Sequence, residues 1–213
     1  MKRYQNQLFY YIWKPHGIPT TYGQNICFLD MIKSSKEIQT QLICTQLQNN
    51  HNHDKEFGLI NRLDNNTWWL LFFAKNKNIY DEYKSLQSQW NVSKYYICDV
   101  HGILENQHIT ITDTIYHHKH NEDRMTLDIH KSRAQPIYTT THVEKLYTDE
   151  YNKTTTLLVK IHKWARHQIR IHLASIWHPI IGEDIYIQSK SHDQNTILHL
   201  WSIGLEIQTN IIN

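Results

Sequence analysis

The sequence predicts an α+β fold in which a mixed or largely antiparallel sheet is flanked by helices. Two observations predict this class. Apolar segments of strand length outnumber segments with helical spacing, and the two kinds do not alternate strictly, as repeated βαβ units would. The chain of 213 residues is 40% hydrophobic, which is enough to bury a core in one domain or in a two-lobed domain.

In the first half of the chain, two apolar runs predict strands and one amphipathic run predicts a helix. The run 8–13 is a buried strand that Lys14-Pro-His-Gly17 ends, because proline and glycine interrupt regular structure. A polar, histidine-rich loop is expected over 49–55, and a second strand over 68–73. Apolar side chains fall on one helical face of 79–90, which predicts an amphipathic helix.

The second half repeats this mixture. Strands are predicted over 95–100, 157–161 and 198–207, and a charged, histidine-rich loop over 116–124. Residues 166–176 are predicted as a helix whose apolar side chains point inward, with His-Pro ending it.

Composition excludes several classes of protein. The formal net charge is only +2, so a nucleic-acid surface would have to come from local clustering. Three cysteines without a Cys-x-x-Cys spacing argue against a zinc ribbon and favour a reducing compartment. No apolar run approaches the roughly 20 residues of a membrane span, and the amino-terminal run is too short for a signal peptide. We expect a soluble, cytoplasmic protein.

A carboxylate and an arginine stand immediately before the second predicted strand. Arg62 and Asp64 are two residues apart, and a carboxylate at the lip of a sheet can be partly desolvated while a cation keeps it ionised. Taken alone, an Arg-x-Asp pair before a strand is usually a solvated loop or a local salt bridge.

Two further segments have the composition of a nucleic-acid contact. If 166–176 is helical, Arg166 and Arg170 are i, i+4 neighbours that could meet phosphates or a carboxylate. In Lys94-Tyr95-Tyr96, a tyrosine could stack on a base while the lysine meets a phosphate. A solvated basic face and ordinary strand packing explain the same residues.

The histidine clusters do not predict a metal site. A hydrolytic zinc helix needs two histidines at i, i+4 with a glutamate nearby, whereas His167 and His172 are five residues apart. The tracts 51–53 and 117–120 follow the general histidine richness of the chain.

Together and in this order, the segments resemble the RluA-like family of RNA pseudouridine synthases. The similar stretches are FYYIWKPHG (9–17), GLINRLDNNTWWLLFFAK (58–75), VSKYYICDVHG (92–102), HQIRIHL (167–173), HPIIG (178–182) with Tyr186, and LHLW (198–201). The resemblance covers about residues 8–207. It implies a single catalytic domain over 1–213, without an S4 domain, whose central and mostly antiparallel sheet is split by a cleft.

The resemblance also implies roles for individual residues. Asp64 stands at the family's catalytic aspartate, Tyr96 at the tyrosine that packs on the target base, and Arg170 at the arginine that pairs with the aspartate. Arg62 would enter the RNA near the flipped nucleotide, and Arg166 would meet a phosphate. The implied partner is a transfer or ribosomal RNA stem-loop, with no cofactor, no metal, no membrane and no obligatory protein partner, and the enzyme would be a monomer.

Three positions depart from the family pattern. Trp68-Trp69 replaces the Ser-Gly pair that ends the signature after Thr67, Asn61 replaces a common histidine, and Arg166 is displaced by one position.

Two alternatives to an isomerase remain. One is a glycoside- or nucleoside-hydrolysing enzyme, which would need a second carboxylate beside Asp64. The other is a catalytically inactive RNA-binding protein of the same fold.

Overall fold

A computed structural model describes residues 3–5, 8–21, 26–35, 58–133, 135–187 and 196–208. The contacts of the chain group into two compact units, the first comprising 1–92 with 207–213 and the second comprising 93–206. The predicted loop over 49–55 lies outside the described residues. None of the helices in the described part is long and apolar enough to cross a membrane.

The first unit is built on a small antiparallel sheet. Its strands are β1 (Arg3–Gln5), β2 (Phe9–Lys14) and β3 (Trp68–Ala74), with β2 in the middle. The unit also contains helix α1 (Phe28–Ser34) and helix α2 (Lys77–Ser88).

Helix α2 begins where Asn76 accepts a hydrogen bond from the backbone N–H of Ile79, a typical amino-terminal cap. Tyr83 is the buried residue of this helix, and its ring meets that of Phe9 edge-on at 6.3 Å. The two strands and the helix predicted for this unit are therefore confirmed, whereas β1 and α1 had not been predicted.

The second unit carries a larger sheet in the order β10-β4-β9-β8-β5. Its strands are β4 (Val92–His101), β5 (His108–Ile111), β8 (Thr141–Asp149), β9 (Thr154–Ile161) and β10 (Leu200–Ile207). The pairs β4–β9, β8–β9 and β5–β8 are antiparallel. Helix α3 (Gln168–Ser175) follows β9.

Side chains along β4 and β9 alternate between buried and half-exposed, as expected for a sheet with one face in the core. Lys94 and Tyr96 lie on the buried face of β4 together with Cys98 and Val100. Lys94 is therefore not an exposed phosphate contact, contrary to one interpretation of its segment.

A short hairpin extends the second unit where a charged loop was predicted. Its strands are β6 (Tyr116–His117) and β7 (Met125–Thr126), and a 3-10 turn at Ile129–Lys131 follows. Met125 packs with Ile115, Ala165 and Ile171 in a buried cluster, which attaches the hairpin to α3.

The predominance of antiparallel strands and the few helices confirm the predicted α+β class. The predicted cleft would involve both units and stays a prediction.

Trp69 has an unusual backbone conformation for a residue in a strand. Its φ is +81°, in the left-handed region that glycine adopts without strain. The resembled family signature has glycine at this position, so the backbone keeps the path of a glycine although the side chain is an indole. The indole packs against Trp13, with the ring centroids 5.2 Å apart.

This backbone conformation predicts that a glycine variant at position 69 is more stable than an alanine variant, the reverse of the usual order in a strand. Both Trp69→Ala and Trp69→Gly lose the indole, but only alanine retains the left-handed strain, which costs roughly 1–2 kcal/mol. We expect Trp69→Gly to have a free energy of unfolding about 1 kcal/mol higher than Trp69→Ala, measured by urea denaturation. The same pair at Trp68 is the control, since glycine in a strand is ordinarily the less stable of the two. If the alanine variant has the higher free energy of unfolding at both positions, the backbone at Trp69 is not strained.

Candidate active site

Asp64 lies in the segment that runs from Gly58 to the turn before β3. Along this segment Asn61 and Leu63 are buried, Arg62 is exposed and Asp64 is half-buried. Arg62 and Asp64 are therefore the more exposed side chains of this stretch, whereas Asn61 and Leu63 face the interior.

Buried polar groups hold this segment in place. The Asn61 amide accepts from the backbone N–H of Phe72 at 2.7 Å and donates to the carbonyl of Leu70 at 3.2 Å, so it substitutes for a strand partner. The hydroxyl of Thr20 donates to the carbonyl of Leu63 at 2.7 Å and accepts from its N–H at 3.1 Å. The replacement of a histidine by Asn61 therefore gives the segment a specific anchor.

Asp64 opens a tight turn, and a buried lysine lies against that turn. The Thr67 N–H donates to the carbonyl of Asp64 at 3.0 Å. The Lys14 ammonium donates to the carbonyls of Asn65 at 2.9 Å and Thr67 at 3.0 Å, and to that of Pro15 at 3.0 Å. These bonds use all three donors of an ammonium group.

Lys14 is almost fully buried, with 1% of its surface exposed. Burial lowers its pKa to about 8, and the negative charge of Asp64 acts in the opposite direction. The two opposite charges stabilise each other, so Lys14 supplies positive charge to the Asp64 turn from within the first unit. The sequence analysis assigned no role to Lys14; its place at the end of an apolar strand, before a proline, was the available signal.

Arg170, in the second unit, is also buried, and its charge is paired with carboxylates of the same unit. Its guanidinium donates two parallel bonds to Glu183, at 2.6 and 2.7 Å, and a third to Asp184 at 2.7 Å. Glu183 further accepts from the backbone N–H groups of Ile185 and Tyr186. Arg170 is therefore an internal cation rather than an exposed phosphate contact. Its pairing with Asp64 would join the two units and stays a prediction, as does the approach of Tyr96 to Asp64.

Arg166 does not share a helical face with Arg170, which corrects one expectation. The helix begins at Gln168, and His167 before it has a φ of +55°, so the backbone turns between the two arginines. Arg166 donates instead to the carbonyl of Glu122 at 2.8 Å and to the carboxylate of Asp123 at 3.2 Å. It braces the loop between β6 and β7.

His167 takes part in a buried hydrogen-bond chain that no sequence pattern had indicated. The N–H of Met125 donates to the Tyr186 hydroxyl at 3.0 Å, and this hydroxyl lies 2.9 Å from Nδ1 of His167. Burial, together with the neighbouring Arg170 and Arg166, lowers the His167 pKa to about 3. The imidazole is therefore neutral at neutral pH. Among the described residues, no group of three or more histidine, cysteine or carboxylate side chains is placed to hold a metal ion.

The neutral state of His167 predicts a loss of stability in acid. Its pKa is about 6.5 when unfolded and about 3 when folded, so the unfolded chain binds more protons between these values. The free energy of unfolding of the wild type should fall below pH 6.5, with this group contributing up to about 1.4 kcal/mol per pH unit.

His167→Asn tests this contribution, since asparagine tolerates a left-handed backbone. The variant should be less stable than the wild type at pH 7, and the difference should shrink as the pH falls to 4.5 in urea denaturation. His108→Asn, which removes an exposed imidazole on β5, is the control. A difference for His167→Asn that stays constant across this range would contradict a buried neutral imidazole.

Comparison with known proteins identifies the family. The family model for RNA pseudouridylate synthases matches residues 9–175, more than three quarters of the chain. An uncharacterized RNA pseudouridine synthase of Aquifex aeolicus is 32% identical over 61% of this chain and 39% of its own length. The ribosomal large subunit pseudouridine synthase D of Nitrosomonas europaea is 30% identical over 70% of this chain and 43% of its own.

A solved structure shows the same fold. The human RNA pseudouridylate synthase domain containing 1 superposes with a TM-score of 0.71 at 19% identity, over 98% of this chain and 78% of that chain. The chain spans 39–60% of the lengths of the first curated relatives that it matches. The buried supports of the Asp64 turn lie within the matched region, and the chain belongs to the RluA-like family of RNA pseudouridine synthases, which are isomerases that act on RNA.

Proposed function

We propose that this chain isomerises specific uridines of structured transfer or ribosomal RNA to pseudouridine, with Asp64 as the catalytic carboxylate. The observation that carries the proposal is the Asp64 turn, which lies in the family's matched segment and is supported by the buried Lys14 ammonium. A fixed, ionised carboxylate on an accessible turn is what the reaction needs at the ribose.

The reaction breaks the bond between N1 of uracil and C1′ of the ribose and forms a bond between C5 and C1′. The proton of C5 is lost and N1 gains one, so atoms and electrons balance without an oxidant or a transferred group. Asp64 either attacks C1′ or removes a proton from the sugar, and its carboxylate serves both routes. The balance of the reaction calls for no cofactor.

The other proposed residues act around this carboxylate. Tyr96 holds the detached base and assists the removal of the C5 proton, and Arg170 stabilises ionised Asp64. Arg62, exposed beside Asp64, occupies the space that the flipped nucleotide leaves. Flipping costs a few kcal/mol, so unpaired uridines in loops are the preferred targets. Arg166 contributes to the RNA face through the loop that it braces.

The replacement of Ser-Gly by Trp68-Trp69 is the specific reason to consider an inactive RNA-binding protein. Two observations favour activity. The left-handed backbone at Trp69 preserves the path expected of glycine, and the hydrogen bonds from Lys14 to Asn65 and Thr67 are present in the Asp64 turn.

Buried free thiols at Cys27 and Cys98 suit the cytoplasm, where we place the enzyme as a monomer without an obligatory protein partner.

Asp64→Asn tests the catalytic assignment because it retains the size of the side chain and removes its charge. We expect release of tritium from C5-labelled uridine in RNA to fall by about 10⁴-fold or more, since a sole catalytic carboxylate is lost. RNA binding should be retained or slightly strengthened, because a negative charge near phosphates is removed.

Asp81→Asn is the matched control, since Asp81 is an exposed carboxylate on α2 that pairs with Lys77. It removes the same charge and should retain full turnover. If Asp64→Asn releases tritium at more than a few per cent of the wild-type rate, the assignment is wrong. Wild-type protein that binds RNA but releases no tritium from any cellular RNA would establish the inactive binder, and release of free uracil would indicate a hydrolase.

A further inference from the structure

We propose that a pocket in the second unit binds a phosphate-bearing nucleotide of the substrate RNA, at a position other than the target uridine. The inference rests on the proposed function for the identity of its ligand. The pocket has a volume of about 270 Å³ and lies between the β6–β7 hairpin, the 3-10 turn after it, α3 and Tyr186. None of the residues to which we assign a role in the reaction lines it.

The lining divides into an apolar base and a cationic rim. Met125 and Ile171 belong to the buried cluster that joins the hairpin to α3, so the base of the pocket is part of the core. Arg124, Lys131 and His118 supply the polar side. An apolar base with an arginine and a lysine in its lining fits a ligand that has a flat or aliphatic body and an anionic group.

The charge of this region favours an anion. The segment 116–133 together with Arg166 contains five lysines and arginines and three carboxylates, which leaves a surplus equal to the net charge of +2 of the whole chain. Two of the carboxylates are already engaged, since Glu122 pairs with Arg133 at 3.0 Å and Asp123 with Arg166 at 3.2 Å. The third, Asp128, lies 3.6 Å from Lys131.

The aromatic wall of the pocket is held in a fixed orientation. The Tyr186 hydroxyl is bonded to the backbone of Met125 and to His167, and the Arg124 guanidinium lies 5.5 Å from the ring centroid. A fixed ring and braced loops lower the entropy that a ligand must lose on binding.

The size of the pocket limits what part of an RNA can enter. Its volume lies just below the roughly 300–1,000 Å³ of small-molecule sites, so it admits at most one nucleotide and not a duplex. Recognition of RNA through single unpaired nucleotides, with an aromatic wall and a phosphate contact, is the common mode for structured RNA. The same chemistry would suit a free nucleotide, and the test separates the two.

Lys131→Gln is the decisive variant, and Lys153→Gln is its control. Both lysines are exposed and both form i, i+3 ion pairs, Lys131 with Asp128 and Lys153 with Glu150. Only Lys131 lines the pocket. Binding of unfractionated transfer RNA should be measured between low and moderate salt for the wild type and both variants.

We expect Lys131→Gln to weaken binding and to reduce the slope of log affinity against log salt by about 0.7 to 0.9, the value of one phosphate contact. Lys153→Gln should leave the slope unchanged. Equal slopes for the wild type and Lys131→Gln, or equal losses for the two variants, would overturn the proposal. So would saturable binding of uridine 5′-monophosphate at micromolar concentration with no effect of Lys131→Gln on RNA, which would make the pocket a free-nucleotide site.

This measurement is independent of turnover. Failure of the proposed isomerase activity would appear as absent tritium release by wild-type protein, whereas failure of the pocket proposal would appear only in the salt slopes.

Discussion

The candidate site depends on one buried positive charge. The Lys14 ammonium lies at the end of β2 and donates its three hydrogen bonds to carbonyls of the chain, two of them in the turn that Asp64 opens. An ammonium taken out of water is costly unless each of its donors is satisfied. The hydrogen bonds of Lys14 therefore hold the conformation of the turn, and Asp64 lies near a charge of opposite sign.

The second unit also contains a buried positive charge, that of Arg170. Arg170 is buried in α3 and donates to two carboxylates, of which Glu183 is itself fully buried and further bonded to the backbone. A buried ion pair contributes little net stability compared with apolar residues of the same volume. The three hydrogen bonds to Glu183 and Asp184 fix the position of the Arg170 guanidinium.

The features that could be predicted from the sequence are those that depend on residues close together in the chain. The apolar strands β2 and β3, the helix α2 and the position of Asp64 before β3 depend on hydrophobic patterns and breakers within short windows. Strands β5 and β8 were not predicted, because β5 has only four residues and β8 has few apolar side chains, which do not form a continuous run.

The partners of the charged residues depend on tertiary contacts and could not be predicted. The carbonyls that Lys14 contacts include two that are 51 and 53 residues away in sequence. Glu183 follows Arg170 by thirteen residues, and its place between the HPIIG stretch and Tyr186 does not indicate that it pairs with Arg170. The left-handed backbone at His167, which separates Arg166 from Arg170, overrode the helical spacing on which their common face was predicted.

If the charge of Lys14 supports the chemistry at Asp64, the rate of the reaction should follow the titration of Lys14. With a pKa of about 8, Lys14 loses its proton in a range where the protein can be assayed. The measurement is the single-turnover rate constant of tritium release from pH 6.5 to 9.5 for the wild type and for Lys14→Met, once a near-ultraviolet circular dichroism spectrum has shown that the variant is folded. We expect the variant to be slower at pH 7, and the ratio of the wild-type to the variant rate constant to fall as the pH rises through about 8. A ratio that is constant over this range, or a variant as fast as the wild type at pH 7, would contradict a role of the Lys14 charge at Asp64.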